Sequence, residues 1–73
     1  MRLSNYVYRL SEVQGKLLDY NEVTLIECEK EIANIMLEAM RDNSLTVVAL
    51  EGLRERRENL LLEIEFKYNA LRG

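Results

Sequence analysis

Apolar residues recur along the first segment at Leu3, Tyr6, Val7, Leu10, Val13, Leu17 and Leu18. This three-and-four spacing marks one face of an amphipathic helix and predicts a helix over about 4–18. Ser4 is placed to cap its start. Glu12 precedes Lys16 by four positions on the polar side, an arrangement that adds roughly 0.2–0.5 kcal/mol to a helix. Gly15 weakens the same helix by about 1 kcal/mol relative to alanine. Asp19-Tyr20-Asn21-Glu22 then carries the aspartate-to-glutamate spacing of a new helix start. A bend or short break therefore belongs near 19–22. The stripe itself turns there: Leu25, Cys28, Ile32, Ile35, Met36 and Ala39 centre on a face rotated by roughly 80° from the first. A strict heptad seam would drift the other way. Either the helix is interrupted, or one long helix changes neighbours partway along.

The second helix is expected over about 20–41. Adding Ile26, Ala33, Leu37 and Met40 widens its apolar arc to roughly 200°, against the 100° or so that one packed neighbour requires. Such a helix needs two neighbours. Its polar side is Glu27, Lys30, Glu31, Asn34, Glu38 and Arg41. The polar tetrapeptide Arg41-Asp42-Asn43-Ser44 contains residues that end helices and cap new ones, so a turn is expected at 42–44. A connection this short makes antiparallel neighbours. The third helix, about 45–71, has its stripe at Leu50, Leu53, Leu60, Leu61, Ile64, Tyr68 and Leu71, with Arg57 in the middle of it. A minor strip of Val48, Leu62 and Phe66 faces away.

These patterns predict a single all-α domain over 1–73: an antiparallel helical hairpin, coiled-coil-like, preceded by a shorter or bent amphipathic N-terminal helix. Leu25, Ile32, Met36, Leu53, Leu60 and Ile64 are the expected hairpin core. Folded about Asn43, the hairpin sets Glu29 level with Arg57, two opposite charges each inside an apolar stripe. Pairing would fix the register, because a charge left alone in an apolar seam costs several kcal/mol, whereas a hydrogen-bonded pair costs far less. The alternatives are that both side chains reach solvent from the edge of the stripe, or that one awaits a residue on a partner chain.

Composition narrows the function. A chain of 73 residues buries a modest fraction of its surface, so association with a second chain is expected from the outset. Apolar residues make up 48% and charged residues 32%, with no proline, the profile of a long-helix protein. The net charge of −3 is uneven: residues 1–18 sum to +2, residues 19–42 to −5, and the rest balances. An acidic middle repels a phosphate backbone, which disfavours nucleic acid as a partner. No apolar run is long enough to span a bilayer, and Met1-Arg2-Leu3-Ser4-Asn5-Tyr6 lacks the apolar core of a signal peptide, so the chain reads as cytoplasmic.

Candidate chemistry is sparse. The single cysteine, Cys28, excludes an internal disulfide and reads as a small buried hydrophobe. The absence of histidine removes the usual zinc sets and the Glu-x-x-His motif of di-iron bundles, so carboxylate pairs such as Glu27 with Glu31 or Glu51 with Glu55 are not expected to hold metal. No glycine-rich phosphate loop, nucleophile–base pair or cofactor motif is present, and the expectation is a non-enzymatic protein without cofactors. Arg54, Arg56 and Arg57 are interleaved with Glu55 and Glu58, the pattern of an ion-paired wet face more than of a nucleic-acid stripe. The surplus apolar residues carry the functional signal. Leu37, Met40, Val48, Leu62 and Phe66 are the expected contacts for a helical partner or a second copy, with methionine suited to irregular partners. The N-terminal helix could instead fold back over part of this surface.

An acidic, all-helical chain of this length, with a leading amphipathic segment and a hairpin turning at Arg41-Asp42-Asn43-Ser44, resembles the small co-chaperones of type III secretion needle subunits. The resemblance is one of length and layout over most of the chain. It implies a cytoplasmic adaptor that pairs with a helical-repeat chaperone and shields an aggregation-prone helical subunit. Residues 20–72 are also similar in layout to plasmid-encoded helical-hairpin dimers that bind paired RNA loops, from which the acidic second helix departs. Small phage-encoded inhibitors that mask a host protein form a third class with such chains.

Overall fold

The structure, a computed structural model, describes residues 2–73 as three helices: α1 (Arg2–Lys16), α2 (Glu22–Arg41) and α3 (Val47–Arg72). The all-α class and the helical hairpin with a shorter leading helix are as the apolar periodicity predicts.

Local chemistry sets each boundary. Helix α1 runs through Ser4, which lies inside the first turn and is not its cap. The helix ends as Leu17 and Leu18 donate their backbone N–H groups to the carbonyls of Gln14 and Gly15, and the chain reverses through 17–21. The new start is capped by Asn21, two residues after the aspartate that the sequence suggested. Its Oδ1 accepts from the backbone N–H of Thr24 at 2.9 Å, and Glu22 in the first turn suits the positive end of the helix dipole. The helix is therefore interrupted and does not merely change neighbours.

The second connection is longer than 42–44. Asp42 Oδ1 accepts from the backbone N–H and the hydroxyl of Ser44, at 2.9 and 2.6 Å, forming a side-chain-closed turn. Thr46 then caps α3, its Oγ1 accepting from Ala49 N–H at 3.1 Å. The α2–α3 connection thus extends over 42–46.

The molecule measures 43 × 16 × 15 Å. A 26-residue helix is about 39 Å long, so α3 spans the long axis and the other two lie beside it. Each helix touches both others. Leu25, Ile32, Met36, Leu53, Leu60 and Ile64 are all buried, and α1 adds Tyr6, Leu10 and Val13, with Leu17 just beyond it, to the same core as Cys28, Ile35 and Ala39. The part of the α2 arc from Leu25 to Ala39 that is buried packs on both α1 and α3, with α1 folded back over the hairpin, whereas Ile26, Ala33, Leu37 and Met40, which widen the arc, stay exposed. Along α1 and α2 the buried positions follow three-and-four steps (6, 10, 13, 17 and 25, 28, 32, 35, 39), as in knobs-into-holes bundles.

Polar contacts hold α1 antiparallel on α2. Arg9 Nη2 bonds Glu38 Oε2 at 2.8 Å, and Lys16 Nζ bonds Glu31 Oε2 at 3.0 Å, seven residues apart on each helix. Lys16 thus reaches across to α2 for its partner, where the sequence suggested Glu12. At the far end the Tyr6 hydroxyl donates to Asp42 Oδ2 at 2.8 Å. Near the other end Lys67 Nζ lies 4.6 Å from the centre of the Tyr20 ring.

Candidate interaction surface

Arg57 occupies the apolar stripe of α3 but does not pair with Glu29. Its Nη2 bonds Glu58 Oε1 at 3.2 Å, and no ion pair joins Glu29 to Arg57 among the described residues. The reason is register. Glu29 borders a groove that Arg57 and Leu61 also line, and its carboxylate acts on the Tyr68 phenol, so its level on α3 lies between Leu61 and Tyr68. That is about two turns, or roughly 10 Å, past Arg57. Folding the hairpin symmetrically about Asn43 misplaces the pair. Burial, then the bond to Glu29 and the charges of Glu29 and Glu22, push the Tyr68 phenol above its ordinary pKa.

The groove runs between α2 and α3. Ile32, Ala33, Met36, Leu37 and Met40 line it from α2, Arg57 and Leu61 from α3, and Glu29 also borders it. Ile26 extends the same α2 stripe, one helical heptad before Ala33. Leu37 is 48% exposed and Met40 55%, although each belongs to an apolar stripe. Leu61, read from sequence as part of the buried stripe, instead faces this groove and is partly exposed.

Arg57 contributes a polar defect. Its Nε is buried and has no hydrogen-bond partner, and such a donor costs about 1–3 kcal/mol while it stays unpaired. Among the described residues, the rest of the guanidinium is held by the contact with Glu58, an adjacent residue whose side chain is 65% exposed. Exposed pairs of this kind contribute little.

The other expected contacts lie elsewhere. Val48, Leu62 and Phe66 project from α3 on the side opposite Leu53, Leu60 and Ile64, and all three are exposed. Leu62 and Phe66 are adjacent turns, but Val48 is fourteen residues, about 21 Å, before Leu62. The structure thus separates the five residues into Leu37 with Met40 at the groove, Leu62 with Phe66 on the outer face, and Val48 alone near the start of α3.

Charges sort by face as well. Glu31 and Glu38 turn toward α1, where Lys16 and Arg9 pair with them at the exposed edge of the α1–α2 seam. Arg54 bonds Glu51 at 3.4 Å, and Arg56 borders a polar depression with Glu55 and Asn59. These arginines do not form an unopposed basic stripe.

Cys28 is buried and free, and burial raises its thiol pKa, so it is held protonated and unreactive. Among the described residues no group of three Cys, Asp or Glu side chains is placed to hold a metal ion, and no helix is long and apolar enough to cross a membrane. Sequence reasoning missed Asp42, read as a polar turn residue and found buried beneath Tyr6. The tyrosine in the α1 stripe was the available signal, since a buried phenol needs an acceptor. Compared with protein families, curated proteins and solved structures, the chain matches none of them.

Proposed function

We propose that the protein is a small non-enzymatic interaction module that binds a helix of another protein chain along the α2–α3 groove. This is the shielding role of an adaptor or co-chaperone. The observation that carries the reading is the half-exposed stripe of Leu37 and Met40, continued by Ile26 and Ala33 and flanked by Leu61. Its spacing follows the i, i+4 and i+7 anchors by which helix-in-groove contacts are made. The three-helix core is complete without these residues, so their apolar area is available to a partner. An exposed apolar stripe of this kind, bordered by charges, is a common mark of protein association. The rival role, nucleic-acid binding through Arg54, Arg56 and Arg57, has less support, because Arg54 and Arg57 are engaged with acids of their own helix.

Photo-crosslinking in the source cell tests the reading. A benzophenone side chain replacing Leu37 should yield a protein adduct, and the same group at exposed Glu12, on α1, should not. Failure to form any protein adduct at Leu37 would remove the groove as an interaction surface.

A further inference from the structure

We infer that the occupant of the α2–α3 groove is a second copy of this chain, packed antiparallel about a two-fold axis near Ala33, with Glu29 of each copy bonded to Arg57 of the other. The inference rests on the groove being an interaction surface and names its partner.

The argument is one of charge and register. The groove is acidic where Glu29 borders it and basic where Arg57 lines it. A two-fold contact sets each residue i of α2 level with residue 66 − i of the other copy when the axis passes Ala33, and the interface is self-complementary. Glu29 then arrives level with Leu37, which lines the groove together with Arg57. Ile26 arrives level with Met40, and Glu22 comes within about one turn of Arg41. The two charges that line the groove, Glu29 and Arg57, therefore approach each other twice over. A parallel arrangement would bring Glu29 to Glu29 and Arg57 to Arg57, and electrostatic mismatch of that kind rejects a partner. Ala33 at the axis lets the two backbones approach closely. Glu31 and Glu38 turn toward α1 and pair with Lys16 and Arg9 there, away from the meeting of two α2 helices.

Arg57 supplies the second observation. Its Nε lacks an acceptor, and its guanidinium is held by exposed Glu58. A carboxylate entering the groove offers a bidentate partner that engages Nε and Nη together when the guanidinium turns toward it.

Two single charge reversals, Glu29→Arg and Arg57→Glu, test the pairing. In an antiparallel dimer each variant alone faces two like-charge contacts, and its dimer Kd should rise by about tenfold or more. An equimolar mixture restores both contacts, since the Glu29→Arg chain then meets the Arg57→Glu chain with opposite charges at each pairing. The mixture should form a one-to-one dimer at wild-type affinity by sedimentation equilibrium. Circular dichroism on each sample confirms that the variants remain helical. A wild-type dimer indifferent to both reversals, or variants that dimerise no better mixed than alone, would overturn the inference. So would a wild-type monomer at every concentration. In that case a Leu37 crosslink to a different protein would leave the groove as an interaction surface, whereas no crosslink at all would remove both.

Discussion

The Tyr6 hydroxyl donates to Asp42 Oδ2 at 2.8 Å, joining the first third of α1 to the α2–α3 connection across 36 positions of sequence. The same carboxylate holds Ser44 through its other oxygen. One buried acid thus fixes the exit of α2, the shape of the turn and the position of α1.

Removing the phenol oxygen should cost more than a surface change. Tyr6→Phe deletes the hydrogen bond to the buried Asp42 carboxylate, and a loss of about 1.5–3 kcal/mol is expected for a bond to a charged group. For a chain of this length that lowers Tm by roughly 4–8 °C per kcal/mol. Asp42→Ala should cost at least as much, because the bonds to Ser44 go with it. A Tyr6→Phe chain melting with the wild type would mean that the contact adds nothing net.

Stability should fall at both ends of the pH scale, for separate reasons. The Arg9 guanidinium holds the Glu38 carboxyl below its ordinary 4.5, so the folded chain binds that proton less tightly than the unfolded chain. Its contribution is present above about pH 4.5 and is lost as pH falls through the depressed value. Hydrogen bonding to Glu31 raises Lys16 above 10.5, and burial with Glu29 raises Tyr68 above 10.0. Those contributions are present below these values and are lost as pH climbs through the raised ones. Urea midpoints across pH should show Glu38→Gln flattening the acid limb alone and Tyr68→Phe the alkaline limb alone. An unaltered acid limb in Glu38→Gln would show that the Arg9 pair is not linked to folding.

Gly52 offers a gain. It sits in the exposed interior of α3, where an added Cβ meets nothing within 4 Å. Gly52→Ala should stabilise by about 0.5–1 kcal/mol through helix propensity and a less disordered unfolded chain. Thermal denaturation checks this, and a lowered Tm would mean that the glycine has a role the fold does not require.

Cys28 should be silent until the bundle opens. Its buried, protonated thiol should react with Ellman's reagent at a rate set by local unfolding, rising with urea. Prompt labelling of the native chain would mean that the α2 core is looser than its packing implies.

Much of the fold was legible in the apolar spacing. The stripes of 6 to 17, 25 to 39 and 53 to 64 are the buried faces, because three-and-four periodicity is set by the same helical geometry that sets packing. The boundaries were less so. Asp19 and Asn21 both suit an N-cap, as do Ser44 and Thr46, and which of them is used depends on where the packed helices end. The turn misled for a related reason: Asp42 reads as polar and wet, yet Tyr6, distant in sequence, covers it. The Glu29–Arg57 register failed because it assumed a symmetric hairpin, whereas the α2–α3 connection runs to Thr46 and Glu29 lies near Leu61 and Tyr68. The sequence also allowed that either charge awaits a residue on a partner chain, an alternative that the spacing within one chain has no means of ranking.

The most direct measurement is the absolute molar mass of the wild-type chain by light scattering, from micromolar to near-millimolar concentration, with circular dichroism on the same samples. A groove filled by a second copy predicts a fully helical species whose mass rises to twice 8.6 kDa and then stays constant. A fully helical chain that remains at 8.6 kDa throughout would contradict it.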